Sequence, residues 1–330
     1  MQKLQAPFPY FGGKMSVTDT IWRALGQPAH YIEPFFGSGA VLLARPNYNP
    51  GKHNETVNDK DGFVANVWRS LQFSPDEVAK WCDWPVNHAD LIARGRELCK
   101  NEQNLLKNLC SDPLWHDPIM AGYWIWGISC WIGDGWPIKN ADSRPGISRS
   151  GTGVHSNLHK IPYIAKRGEG VHSSNRKDKI YLLFNQLSQR LRNVRVVCGD
   201  WSRVCGGDWQ DDLGICGIFF DPPYGEKAKR SNNLYATDDM DVADKVRGWC
   251  LEKGERKTHR IVLAGYYEEH ESLLNAGWRV EKWIAQGGYA NQGDGQGKKN
   301  RKKEALFFSP YCLGHKSINQ KGIGDYFKKE

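Results

Sequence analysis

A strand that runs directly into a glycine-rich turn and then a helix is the feature of this sequence that most narrows its fold. Tyr31 to Glu33 reads as a short strand, Pro34-Phe35-Phe36-Gly37-Ser38-Gly39 as the turn, and Ala40 to Ala44 as the start of a helix. Glu55 to Val57 reads as the next strand, closing on Asn58-Asp59, with a helix from about Asp61 to Leu71 behind it. Strand, glycine turn, helix, strand and acid in that order open an α/β sheet of the nucleotide-binding kind. The glycines let the chain double back tightly and let backbone approach a ligand. Ahead of this unit, Lys14 to Leu25 carries Val17, Ile21, Trp22 and Leu25 at helical spacing behind Gly12-Gly13.

The pattern then breaks off and later returns. From Phe73 to about Asn193 the chain reads as helix or loop, and seven of its fourteen tryptophans fall between Trp81 and Trp136. Ile180 to Leu191 is an amphipathic helix, and Val194 to Cys198 is a strand ending in Gly199-Asp200. Ile215 to Phe220 is an apolar strand ending in Asp221-Pro222-Pro223-Tyr224, and further strands are expected at Ile261 to Ala264, Arg279 to Trp283 and Ala305 to Phe308. A chain of 330 residues exceeds the size at which one core usually stops growing. The expected organisation is a sheet domain made of residues 1–72 and 190–330 with residues 73–189 inserted, the tryptophans forming the core of that insertion.

Charge is unevenly placed. The formal net charge is +8, yet Lys139 to Lys179 holds nine Lys/Arg against three Asp/Glu, and Lys298, Lys299, Arg301, Lys302 and Lys303 add five more cations. Two concentrated cationic segments point to a polyanion such as nucleic acid, against the plainer reading of a solvated loop. No apolar run approaches the ~20 residues of a membrane span, and Met1 to Lys14 has no apolar signal region. Nine scattered cysteines without a C-x-x-C pair read as reduced thiols, so a soluble, cytoplasmic protein is expected, monomeric or weakly dimeric.

Three segments carry chemistry. Asp59 stands twenty residues past Gly39, where an acid accepts hydrogen bonds from ribose hydroxyls. Val41 and Leu42 occupy the place of the third glycine of a dinucleotide fingerprint, so the site suits a nucleoside ligand without phosphates, for which S-adenosylmethionine (AdoMet) is the obvious candidate. Asp221-Pro222-Pro223-Tyr224 projects rigidly from a strand end, because prolines cannot continue the ladder. The Asp221 carboxylate and the Pro222 carbonyl can both accept hydrogen bonds from one exocyclic amine, and Tyr224 offers a face on which an extruded base stacks. Pro9-Tyr10-Phe11-Gly12-Gly13-Lys14 presents backbone N–H groups suited to a carboxylate, beside aromatic rings.

Together these segments resemble the Dam-like, or alpha-group, adenine-N6 DNA methyltransferases. Tyr10-Phe11-Gly12-Gly13-Lys14 is similar to that family's Trp-Ala-Gly-Gly-Lys motif, with Tyr-Phe in place of Trp-Ala. Glu33-Pro34-Phe35-Phe36-Gly37-Ser38-Gly39 is similar to its Glu-Pro-Phe-x-Gly-Ser-Gly loop, Asn58-Asp59 to its ribose-binding acid, and Asp221-Pro222-Pro223-Tyr224 to its catalytic tetrapeptide. The resemblance implies a class I AdoMet-dependent methyltransferase (Rossmann-like) α/β sheet with an inserted, mainly helical target-recognition domain, of the prokaryotic or phage-encoded type. It implies double-stranded DNA as partner and a flipped adenine as substrate. By it, Tyr10, Gly12, Gly13, Lys14, Glu33, Pro34, Phe35, Gly37, Gly39 and Asp59 hold the cofactor, with Asp200 near its adenine ring, and Lys14 touches DNA. Arg144, Arg149, Lys160, Lys166, Arg167, Lys298, Lys299 and Arg301 are candidate DNA contacts. Arg149 to Pro162 does not match the segment with which GATC-reading members recognise their site, so that specificity is not carried over.

No metal is expected: His155 and His159 stand four apart, but Gly151, Gly153 and Ser156 argue for a loop. Gly297-Lys298 is not a phosphate loop, since Gln292 and Lys299 occupy positions that require Gly and Ser/Thr. The same tetrapeptide suits cytosine-N4 methylation, RNA could replace DNA, and a non-catalytic nucleic-acid-binding protein is the alternative from another class.

Overall fold

A computed structural model describes residues 4–8, 10, 13–85, 87–131, 136–137, 174–223, 242–283 and 304–314. Its strands are β1 (His30–Glu33), β2 (Asn54–Asp59), β3 (Val194–Cys198), β4 (Cys216–Phe220), β5 (His259–Tyr266), β6 (Arg279–Lys282) and β7 (Glu304–Phe308). They lie side by side in the order β3-β2-β1-β4-β5-β7-β6. The first five run parallel, and β7 is antiparallel to both β5 and β6. The chain moves outward from β1 to β2 and β3, then returns to lay β4 on the other side of β1. Ligands bind open α/β sheets at such a reversal, beyond the carboxyl ends of the strands.

Every residue of β1 and β4 is buried. Parallel strands covered on both faces read as continuous apolar runs, which is why Cys216-Gly217-Ile218-Phe219-Phe220 shows no polar alternation. Tyr31, Phe219, Val262 and Phe308 point into one core, and Ile32, Phe220, Leu263 and Phe307 into the other. The helices are α1 (Thr18–Leu25), α2 (Ala40–Leu43), α3 (Gly62–Phe73), α4 (Pro75–Cys82), α5 (His88–Ser111), α6 (Pro118–Cys130), α7 (Ser174–Leu191), α8 (Ser202–Cys205), α9 (Val242–Lys253) and α10 (Tyr267–His270). The first seven contribute to the core beneath Tyr31, whereas α8 and α9 contribute to the core beneath Ile32.

Packing contacts cross residue 73, the boundary expected for the inserted segment. Trp124 of α6 meets Phe8 edge-on at 4.9 Å, and Phe8 in turn lies 5.8 Å from Trp68 of α3. Asn66 of α3 clamps the start of α6, donating to the Asp117 carbonyl at 2.8 Å and accepting the Asp117 N–H at 2.7 Å. Arg69 of α3 donates to the carbonyls of Val196 in β3, Leu109 in α5 and Asp112 just beyond it. These contacts tie α5 and α6 to the sheet, and Trp124 and Trp126 belong to the same buried cluster as Tyr31 and Phe219 of the strands. Residues 138–173, which hold most of the first cationic segment and both His155 and His159, lie outside the described residues.

At the amino end of the sheet, Glu55 of β2 accepts from Arg45 at 3.0 Å and from Arg190 of α7 at 2.6 and 2.9 Å. The Arg45 and Glu55 side chains are both fully buried, so this cluster fastens α7 across β2. Among the described residues, no helix is long and apolar enough to cross a membrane.

Candidate cofactor and amine site

The strand register lines up the acids. Glu33 pairs with Val57, Asp59 with Cys198, and Ile32 with Ile218, so Glu33, Asp59, Asp200 and Asp221 all stand at or just past the carboxyl edge of four adjacent strands. The turn after β1 is held from several sides. Gly37 and Gly39 adopt φ of +46° and +65°, the region that favours glycine. A Cβ on Gly37 would come within 2.7 Å of the Tyr10 ring, so the aromatic residue of the N-terminal motif lies directly on the turn. Trp68 donates its indole N–H to the Gly37 carbonyl at 2.8 Å. The buried Asn58 amide bridges two loops, donating to the carbonyls of Pro34 and Gly199, each at 3.0 Å.

Asp59 receives the Gly37 N–H at 2.8 Å on one oxygen and the Asp61 N–H at 2.9 Å on the other. Burial, with the charge of Asp61 adding, raises its carboxyl to about 7 despite those bonds. The Lys60 amide also hydrogen-bonds to it, so of the about four acceptor positions of a carboxylate three are used by amides. Asp200 is exposed and caps the next turn, its Oδ1 accepting from the Ser202 amide at 3.0 Å and the Ser202 hydroxyl at 2.5 Å. Phe35 is half-buried, its ring 6.4 Å from Phe220.

The corner after β4 contains a pairing that neither motif signals alone. The Lys14 ammonium lies 2.8 Å from Asp221 Oδ2, with Lys14 only 3% exposed and Asp221 23%. The Lys14 ammonium, expected to touch DNA, is buried and directed at the carboxylate. Glu33 lies in the same corner, accepting the Tyr31 hydroxyl at 2.8 Å. Burial pushes the Glu33 carboxyl well above the usual carboxylate range, and the Asp221 charge adds to this. Pro222 is buried and Pro223 half-buried behind Asp221.

The structure thus brings together Tyr10, Gly37, Asp59, Glu33, Lys14 and Asp221. Gly12, Tyr224, Arg144, Arg149, Lys160, Lys166, Arg167, Lys298, Lys299 and Arg301 lie outside the described residues. Trp68 carries no local signal of its role, because it meets Gly37 only once α3 is laid against the turn. Among the described residues, no cluster of three or more His, Cys, Asp or Glu is placed to hold a metal ion.

A mixed sheet in this order, with a glycine turn and an acid on neighbouring strands at its reversal, fits the class I methyltransferase fold. Residues 10–103 match the family of D12 class N6 adenine-specific DNA methyltransferases. Over 65 residues the chain is 35% identical to the DNA N-6-adenine-methyltransferase of Escherichia phage P1. That stretch is 20% of this chain and spans 8% of the phage protein. The chain is therefore similar to adenine-N6 DNA methyltransferases in the segment that holds its N-terminal motif, glycine turn and Asp59, while the Asp221 corner lies outside the matched residues 10–103.

Proposed function

We propose that this chain is an AdoMet-dependent methyltransferase acting on the exocyclic N6 amine of an adenine flipped out of double-stranded DNA. The observation that carries this reading is the placement of Asp221, at the end of β4, across the sheet reversal from the glycine turn and Asp59. The residues present fit the cofactor. Among the described residues, a Cβ on Gly13 would meet nothing nearer than the Tyr10 carbonyl at 3.7 Å, which is consistent with backbone open to a ligand beside the N-terminal motif. Asp59 keeps an acceptor position for a ribose hydroxyl, and the Phe35 ring supplies an apolar wall. When bound, AdoMet supplies a methyl group on a positively charged sulfur.

The chain's own part is to make a poor nucleophile reactive. The lone pair of the adenine amine is delocalised into the ring. Asp221 and the Pro222 carbonyl each accept a hydrogen bond from one of its N–H groups, drawing nitrogen toward sp³ geometry and turning its lone pair out of the plane, and the one proton shed on methylation passes by way of Asp221 to water. Tyr224 stacks on the extruded base, and DNA lies against the cationic segments at 139–179 and 298–303, with 73–189 contributing target recognition. Acceleration comes from positioning and fixed charge rather than from proton relay.

The test is incubation of the purified chain with labelled AdoMet and unmethylated plasmid DNA, followed by nucleoside analysis and sequence mapping. N6-methyladenine at a recurring site is the expected product. N4-methylcytosine, label in competing RNA alone, or binding without transfer would each replace the reading with a named alternative.

A further inference from the structure

We infer that Lys14 is a positioning residue for Asp221, fixing the carboxylate that receives the substrate amine. The inference rests on the proposed function and assigns Lys14 a different task from contacting DNA or cofactor.

An ammonium group taken from water costs several kcal/mol in practice and is tolerated only beside a partner. Lys14 is 3% exposed, and its Nζ lies 2.8 Å from Asp221 Oδ2. Its backbone is anchored at the opposite end: the Val17 amide donates to the Lys14 carbonyl at 3.0 Å, fixing the start of the turn that leads into α1. The side chain therefore runs from a braced backbone to the lip of β4, joining positions 207 residues apart in sequence.

Two consequences follow for the carboxylate. With Oδ2 held by Lys14, the plane of the group is set and Oδ1 is left to accept from the amine. The ammonium also offsets the charge of Asp221 beside the buried Glu33, which without it would face a second acid across the corner. The pair is neutral overall, so an uncharged amine enters a site whose field is already arranged. The N-terminal motif thereby contributes to both halves of the site, since Tyr10 lies on the cofactor turn and Lys14 on the catalytic corner.

The experiment compares wild-type chain with Lys14→Met and Lys14→Arg. AdoMet binding is measured by calorimetry without DNA, and kcat and KM for duplex DNA are measured across a salt series. A carboxylate released from its support should lower kcat about 100-fold in Lys14→Met, as a misplacement of about an ångström does. AdoMet affinity, KM for DNA and the salt slope should stay within a few-fold of wild type, and Lys14→Arg should recover much of the lost kcat. Unchanged kcat in Lys14→Met with a raised KM for DNA and a shallower salt slope overturns the inference in favour of a phosphate contact.

Where Lys14→Met is too unstable to assay, Lys14→Met/Asp221→Asn removes both buried charges. It should melt higher than Lys14→Met and match Asp221→Asn in kcat, because Lys14 acts through the carboxylate alone. A further loss of kcat relative to Asp221→Asn overturns the inference. An active wild type with a fully active Lys14→Met refutes this assignment alone, whereas a wild type that transfers no methyl group refutes the proposed function as well.

Discussion

Trp68 and Gly37 are joined by a 2.8 Å hydrogen bond from the indole N–H to a carbonyl inside the glycine turn, and the Trp68 side chain is completely buried. The turn is therefore held from behind by a helix that follows the next strand. Trp68→Phe strands the Gly37 carbonyl without its donor, a loss of about 1–3 kcal/mol for a buried acceptor. Urea unfolding should show that loss, and calorimetry should show weaker AdoMet binding.

Gly37→Ala should be more damaging than an alanine at another positive-φ glycine. Both Gly37 and Gly277 sit at positive φ, at +46° and +77°, where a Cβ costs about 1–2 kcal/mol. At Gly277 an added Cβ would meet, among the described residues, nothing nearer than Pro310 at 3.7 Å, whereas at Gly37 it strikes the Tyr10 ring. Gly277→Ala should lower stability by that backbone cost and leave AdoMet binding intact. Gly37→Ala should weaken AdoMet binding at least about tenfold by displacing Tyr10 and the turn, as misplaced binding groups do.

The Asp59 carboxyl gives the chain a pH dependence of definite sign. Its folded-state value of about 7 lies above the unfolded value near 3.8, so folding takes up a proton between them. The stability this group contributes is complete below about pH 4 and is lost as pH rises through 7. Measured by urea unfolding without cofactor, wild type should lose stability relative to Asp59→Asn between pH 5 and 8. AdoMet affinity should run the other way in wild type, tightening over the same range as the carboxylate becomes available to hydroxyl donors, and should be flat in Asp59→Asn. Parallel pH curves for the two proteins would refute this account.

Asp221→Ala should abolish methyl transfer while AdoMet and DNA binding stay within a few-fold. Because the buried Lys14 ammonium loses the Asp221 carboxylate in that variant, the melting temperature should also fall. Asp221→Asn, which keeps an oxygen acceptor, should melt closer to wild type and separate the catalytic loss from the structural one. Normal turnover in Asp221→Ala would end the amine-orienting mechanism.

Breaking the buried cluster at the amino end of the sheet should cost stability without touching chemistry. Arg45→Met leaves Glu55 short of one of its two cations, and removing one member of a buried pair typically costs about 3–5 kcal/mol. Arg45→Met/Glu55→Leu should be less than additive in a double-mutant cycle, since the second change removes the stranded charge. kcat should be unchanged at temperatures where the variants are folded.

What the sequence disclosed was local. The strand expected at Val194 to Cys198 has those bounds in the structure, and those at Tyr31 to Glu33 and Ala305 to Phe308 extend by one residue each. The helix expected from Asp61 instead uses Asp61 as its cap, accepting the amides of Phe63 and Val64. These elements were readable because apolar spacing, glycine and capping acids act within a few residues of themselves. Long-range partnerships left no such trace. Arg69 looks like an ordinary helix cation until β3 and α5 are brought to it, and Lys14 looks like a surface lysine until β4 is laid beside β1. The helices between Pro75 and Cys130 read as a body apart because their composition differs, yet composition does not record which surface a helix covers.

The Asn58 side chain has a consequence for how such a chain can change. One amide pins the loops after β1 and β3 to the end of β2, so three neighbouring strand ends are stapled by a single residue. More than a hundred residues leave and re-enter the sheet between two of those ends. Changes within that excursion that spare the buried faces of its helices can therefore be absorbed at a distance, with the glycine turn, Asp59 and the loop after β3 kept in register like a tool post whose cutting head is exchanged.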